Sequence, residues 1–168
     1  FWDKDKGLIK KWPGAEKAFP YKGANFWKDI KLDVQFQIFD GDEKILDEPA
    51  KLKIHGNYSR GLPLKGLRLK SVKRNFDFSP YPDKTINSFS ELTLRASGQD
   101  MGQAHFRDAF AHNYFGEHLN LDVQKATPVT ILVNGKYYGL GHIREVYNQQ
   151  YFDNHYGCGT GFTMLKLW

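Results

Sequence analysis

The stretch that most limits how this chain can fold is Pro128 to Tyr147, PVTILVNGKYYGLGHIREVY. Val129, Ile131 and Val133 alternate with Thr130 and Leu132, the two-residue period of a strand rich in β-branched side chains. Asn134-Gly135 follows, the dipeptide best suited to a turn with positive φ at both central residues. Lys136 to Ile143 then reads as the return strand, with Tyr137 and Ile143 in phase. Gly139 and Gly141 imply that a backbone or a ligand comes close there. Arg144, Glu145 and Tyr147 are expected to leave its end.

Upstream, Lys31 to Phe39 places Leu32, Val34, Phe36 and Ile38 on one face and Lys31, Asp33, Gln35 and Gln37 on the other. This predicts a half-buried antiparallel strand turned at Asp40-Gly41-Asp42. Ala50 to His55 is a second strand, Leu67 and Leu69 resume the alternation in a third, and Glu91 to Arg95 is a fourth. Between them, Ser71 to Ser88, with Pro80 and Pro82, reads as a surface excursion. Ala96 to His105 reads as a polar loop.

Phe106 to Leu119 is the principal helix, with Phe106, Ala109, Phe110 and Tyr114 expected to face the core. Gln149 to His155 predicts a short helix stopped by Gly157, and Phe162 to Leu167 a last strand. Trp2, Trp12, Phe19, Tyr21, Phe26 and Trp27 belong to an irregular segment expected to pack on the domain as an aromatic arm. The fold class is therefore α+β: mainly antiparallel sheet, one principal helix, one domain over residues 1–168 with the arm at 1–28.

The net charge of +5 favours anionic partners. Its basic residues are dispersed, which argues against a nucleic-acid stripe. No apolar run approaches the length of a membrane helix. The single cysteine, Cys158, rules out an intrachain disulfide and reads as an incidental thiol. His105, Asp108 and His112 fall at i, i+3 and i+7, nominally one helix face; the spacing is not that of a helical zinc pair, and a capping or surface role suits them better. The chain opens on FWDKDKG and stops on Trp168 just after a predicted strand, so both ends are expected to be cut from something larger.

His55 to Lys70, HGNYSRGLPLKGLRLK, sets a loop of Gly56, Asn57, Ser59 and Gly61 between two strands. Such a loop can offer backbone N–H groups to an anion, with Arg60 and Lys65 adding charge; a plain solvated hairpin loop is the competing reading.

In order, IHGNYSRGLPLKGLRLK, FRDAFAHNYF and PVTILVNGKYYGLGHIREVYNQQYF resemble the spore coat protein H (CotH) family of atypical protein kinases, from about Leu52 to Gly157. Its members carry a similar run of R/H-G-N-x-S-R-x-x-P-K-K-S-x-R-L-K, then L-R-D-A-L, then P-V-x-L-Y-x-N-G-x-Y-x-G-L-Y-x-x-R-E. Where the family shows paired lysines and a serine, this chain has Pro63-Leu64-Lys65-Gly66, so only Lys65 is retained.

The resemblance implies the N-terminal lobe of a kinase-like fold. It implies nucleotide phosphates near Gly56, Asn57, Ser59 and Arg60, and a phosphate-contacting lysine at Lys65 or Lys70. The helix with Arg107 and Asp108 takes the place of the kinase αC helix. Arg144 to Tyr147 becomes the hinge, with Glu145 either at the adenine or in a structural ion pair. Loop and ribbon are expected to share one cleft.

The resemblance further implies ATP with Mg or Mn as cofactors, a protein Ser/Thr acceptor, and an extracytoplasmic, secreted or spore-coat setting. It places the metal-binding carboxylates in a following helical lobe, so the 168 residues are expected to be incompetent alone. The competing function is a non-catalytic surface-binding module of the same fold. A carbohydrate-associated domain, suggested by the four Trp and nine Tyr, is a weaker third.

Overall fold

The computed structural model describes residues 1–3, 6–11, 13–81, 85–159 and 161–165. Expectations for Trp12, Pro82 and residues 166–168 lie outside that set. Strands β1 (Leu32–Asp40), β2 (Glu43–His55), β3 (Gly66–Ser71), β6 (Glu91–Arg95), β7 (Ala126–Val133) and β8 (Lys136–Glu145) form one antiparallel sheet in the order β1-β2-β3-β6-β8-β7. β4 (Phe76–Asp77) and β5 (Ser88–Phe89) form a separate two-stranded ribbon. Among the described residues the α-helices are α1 (Arg107–His118) and α2 (Gln149–Tyr156).

Register divides the sheet into two unlike faces. Leu52, Leu69, Leu92 and Glu145 lie opposite one another across four strands, as do Ile54, Leu67, Leu94 and Ile143. All eight are buried. The next row along belongs to the other face and is polar: Lys53, Arg68, Thr93 and Arg144. Strand period two makes this split unavoidable once the register is set.

The apolar face is sealed by two segments. Leu8, Ala24 and Phe26 of the arm join the core, and Trp2 Nε1 donates to Val133 O at 2.9 Å. The arm therefore packs as expected, with Phe19 left half exposed. Residues 71–88 correct the expected surface excursion. Phe76, Phe78 and Tyr81 are buried, and Phe76 meets Phe36 edge-on at 5.4 Å. Pro80 is itself buried, so the chain stays on the core there.

Other expectations need smaller corrections. β2 begins at Glu43, seven residues before the expected start, because Pro49 and its acidic neighbours are accommodated opposite Gln35 to Ile38 of β1. Asn134 and Gly135 do take positive φ, 52° and 72°, and close the β7–β8 hairpin. An irregularity between Ile131 and Leu132 gives β8 an extra residue. Tyr137 is consequently exposed while Ile143 is buried, so they do not share a buried face. α2 is capped by Asn148, whose Oδ1 accepts from Tyr151 N at 2.9 Å, and stops at Gly157 in the left-handed region. Phe162 to Leu165 form no strand.

The largest correction concerns α1. Phe106, Phe110, Tyr114 and Phe115 are exposed; of the predicted core side, only Ala109 is buried. The four-residue recurrence is real, and Phe110 and Tyr114 stack at 5.5 Å along the helix. Its direction is reversed because α1 docks on the polar face. Asn113 exchanges hydrogen bonds with Ala126 O and N at 3.2 Å, and His112 Nδ1 accepts from Gln124 N at 3.2 Å. A helix seated on a charged surface turns its polar side inward.

A candidate anion site at the cationic end of the sheet

The loop after β2 contains one short 3-10 turn, Tyr58–Gly61. Gly56 enters it with φ +121°, and a Cβ there would strike Ser59 Oγ at 2.3 Å, so only glycine fits without rearrangement. Arg60 ties the turn down: its Nε donates to Gly56 O at 2.6 Å and Nη1 to Phe26 O at 3.1 Å.

This loop forms one wall of a hollow of about 370 Å³. His55, Gly56, Asn57 and Ser59 stand on that side. Thr93 and Arg95 of β6, the segment Ser97–Gly98 and Asp100 belong to the same lining. The surroundings are cationic. The His55 imidazole is pushed down to about 4, by burial first and then by Arg68, Arg60, Arg95 and Lys53. Burial opposes a charge of either sign there; the four cations are the part that favours an anion over a cation.

The lining does not fit a metal ion. Its carboxylate, Asp100, is engaged by Arg107: Oδ1 accepts from Nε at 2.6 Å and Oδ2 from the backbone N at 3.0 Å. That second contact also satisfies a donor at the start of α1. Among the described residues no three His, Cys, Asp or Glu side chains converge as metal ligands. His105 precedes α1 with φ 65°, and its Nε2 lies 3.0 Å from Leu140 O; it does not share a helix face with Asp108 and His112.

The structure brings Gly56, Asn57 and Ser59 together in the hollow and disperses the other expected residues. Lys65 shares the inward side of Leu67 and Leu69, the face opposite Arg68 and Lys70. Its Nζ donates to Leu62 O at 2.7 Å and rests 4.2 Å above the Phe26 ring. Burial, helped by Lys11, lowers this ammonium to about 8. Lys70 is exposed, 3.6 Å from Glu91, which Arg68 holds at 2.6 Å. Lys65 and Lys70 point to opposite faces and cannot serve one phosphate together.

Arg144 and Glu145 are split the same way. Arg144 is buried beneath α1, and Glu145 is buried on the apolar face with His155 Nε2 at 2.8 Å from its Oε2. Glu145 and Val146 line a different, much smaller hollow with Asn148, Gln150 and Tyr151. The expected cleft shared by loop and ribbon is thus two separate hollows. Gly139 and Gly141 do mark close approach, but to protein: a Cβ would meet Leu64 Cδ1 at 2.6 Å and Arg95 O at 3.0 Å respectively.

Sequence reasoning missed Thr93, Arg95 and Ser97. For Thr93 and Arg95 the signal was the alternation of Glu91, Thr93 and Arg95 against Leu92 and Leu94, which already set them on the polar face; Ser97, past the end of β6, carried no such signal.

Residues 52–165 match the CotH kinase protein family. That span covers more than half of the chain and includes the loop, α1, the hairpin and α2. The chain belongs to this family. No curated protein matches it. The antiparallel sheet with α1 laid against it is compatible with the N-lobe-like layout of a CotH kinase protein. The family is associated with the spore coat, and among the described residues no helix is long and apolar enough to cross a membrane.

Proposed function

We propose that this CotH-family chain is the nucleotide-facing portion of a protein kinase that passes phosphate from ATP to Ser or Thr of an extracytoplasmic protein. One observation carries the reading: the glycine-dependent loop Gly56–Ser59 opens on a hollow lined by Arg95, where burial first, and then the charges of Arg68, Arg60, Arg95 and Lys53, keep His55 neutral down to about pH 4. Backbone N–H groups and an electropositive concavity are what phosphate oxygens need. Gly56, Asn57 and Ser59 would guide the phosphates. Arg60 holds the loop in shape, and Glu145 serves as an ion-pair partner for His155.

Transfer itself needs a carboxylate-held Mg or Mn, and the residues of this hollow do not fit one. The 168 residues are therefore proposed to bind and orient without transferring. Titration calorimetry of the folded chain with ATP, AMP and inorganic tripolyphosphate tests this. Binding of ATP and tripolyphosphate, with AMP much weaker, is expected. Absence of binding by all three at low salt would overturn it.

A second reading, a surface-binding module, is favoured by the aromatic row Phe106, Phe110, Tyr114 and Phe115. A protein partner captured equally well by wild type and by Phe110→Ser/Tyr114→Ser would remove that support.

A further inference from the structure

The loop that rims the hollow is weakly held from within. Its 3-10 turn, Tyr58–Gly61, contains no buried residue, and the Asn57 side chain makes no cap at its start. Two backbone hydrogen bonds close it: Arg60 N donates to Asn57 O at 2.9 Å and Leu62 N to Ser59 O at 3.2 Å. A turn this short, with nothing buried, is marginal in water, so its order has to come from outside.

The outside support is the aromatic arm. Gly61 lies so close to it that a Cβ there would meet Phe19 Cε2 at 2.8 Å and Pro20 O at 3.0 Å. The Phe19 ring reaches the Tyr58 ring, with centroids 6.3 Å apart, and Tyr58 lines the hollow. Arg60 Nη1 donates to Phe26 O at 3.1 Å, and its guanidinium stands 5.9 Å from the Trp27 ring centre. The arm is a firm base for these contacts. Ala24 and Phe26 belong to the core, Trp27 Nε1 donates to Pro20 O at 2.9 Å, and Asn25 Nδ2 donates to Gly7 O at 3.1 Å. Residues 19–27 precede the family match, which starts at residue 52.

We propose that residues 19–27 brace the loop, with Phe19 and Trp27 as positioning residues that keep Gly56, Asn57 and Ser59 in the form that receives a phosphate group. Phe19 acts by direct contact, and Trp27 acts one step back by fixing Pro20 against Gly61. The physical gain is preorganisation: a loop already ordered loses less conformational entropy when an anion binds. By linkage, a bound anion stabilises the loop on the arm by the same factor. This rests on the reading of the hollow as an anion site, and adds which part of the chain keeps its wall in shape.

The test pairs amide hydrogen exchange at Arg60 and Leu62 with tripolyphosphate titration calorimetry on the 168-residue chain, each variant first checked for folding by its thermal transition. In wild type both amides should be protected. Gly61→Ala wedges the loop off the arm, and Phe19→Ala removes the ring that meets Tyr58. Both should bring the two amides close to the free-chain exchange rate. They should weaken tripolyphosphate about tenfold and about threefold respectively, because apparent affinity scales with the fraction of chains whose loop is in the competent form. Trp27→Phe keeps a ring but loses the bond to Pro20, and should act in the same direction and less. Phe19→Tyr should restore wild-type behaviour in both readouts. Phe39→Ala, a similarly exposed ring on β1, should change neither. If Gly61→Ala does not fold, Phe19→Ala decides, since Phe19 is already half in water.

Unprotected amides in wild type, or protection unchanged in Gly61→Ala and Phe19→Ala, would overturn the brace. Faster exchange in these variants with tripolyphosphate affinity unchanged would overturn the positioning role while leaving the anion site standing. No binding of tripolyphosphate by wild type at low salt would overturn the anion site, and the positioning role with it, whatever the amides show.

Discussion

The two faces of the sheet are built from alternate residues of the same strands and are held together by different physics. On one face, Leu52, Leu69 and Leu92 meet Phe26, Phe76 and Tyr81 in a dry core. On the other, Lys53, Arg68, Arg95 and Arg144 are balanced by Asp29, Glu91 and Asp108. The apolar face accepts any packing that excludes water. The charged face works only where a specific carboxylate meets a specific cation, and the hollow has both Arg95 and Asp100 in its lining. The comparison teaches that stability and the candidate site are segregated by strand phase.

Substitutions can break that segregation or sharpen it. Phe76→Ala should cost most, about 4 kcal/mol, since a fully buried aromatic is lost with little room to collapse. Urea unfolding would measure it; anion affinity of the folded fraction should not change. Next comes Arg144→Met. It leaves Asp108 on Arg95 alone and should cost about 3 kcal/mol, as breaking a buried pair does. A loss below about 1 kcal/mol would mean that α1 is not held through this pair.

Two smaller effects separate the faces by pH. Lys65 lies on the apolar face with its ammonium lowered to about 8 from 10.5. The unfolded chain therefore binds more protons between those values, and stability rises with pH across that window. Wild type should gain on Lys65→Met as pH rises from 8 to 10.5. His55, lowered to about 4 from 6.5, acts in the same sense lower down. Its contribution is complete above 6.5 and is lost as pH falls through 4. His55→Gln should flatten that part of the acid unfolding curve, while a bound anion should blunt it in wild type. Smallest of all, Lys70→Ala should change stability by under about 1 kcal/mol, because its pair with Glu91 is exposed.

Much of the fold was legible locally. The alternation in Lys31 to Phe39 and Glu91 to Arg95, and the Asn134-Gly135 turn, specify strands and a hairpin wherever they occur. The loop residues Gly56, Asn57 and Ser59 were legible as a group for the same reason: they are neighbours. Arg95 was not grouped with them, because β2 and β6 are not adjacent in sequence and are brought within reach through β3.

What the chain determines by itself is periodicity: which residues share a strand face, where turns close, and that α1 has an aromatic side. What only tertiary structure decided is which of two faces looks at what. Period two put Arg144 opposite in sense to Glu145, and Lys65 to Lys70, but nothing local says which side will be covered. α1 shows the reason plainly. Its aromatic row faces solvent because the surface available to it was already charged, and polarity inward is then the lower free energy.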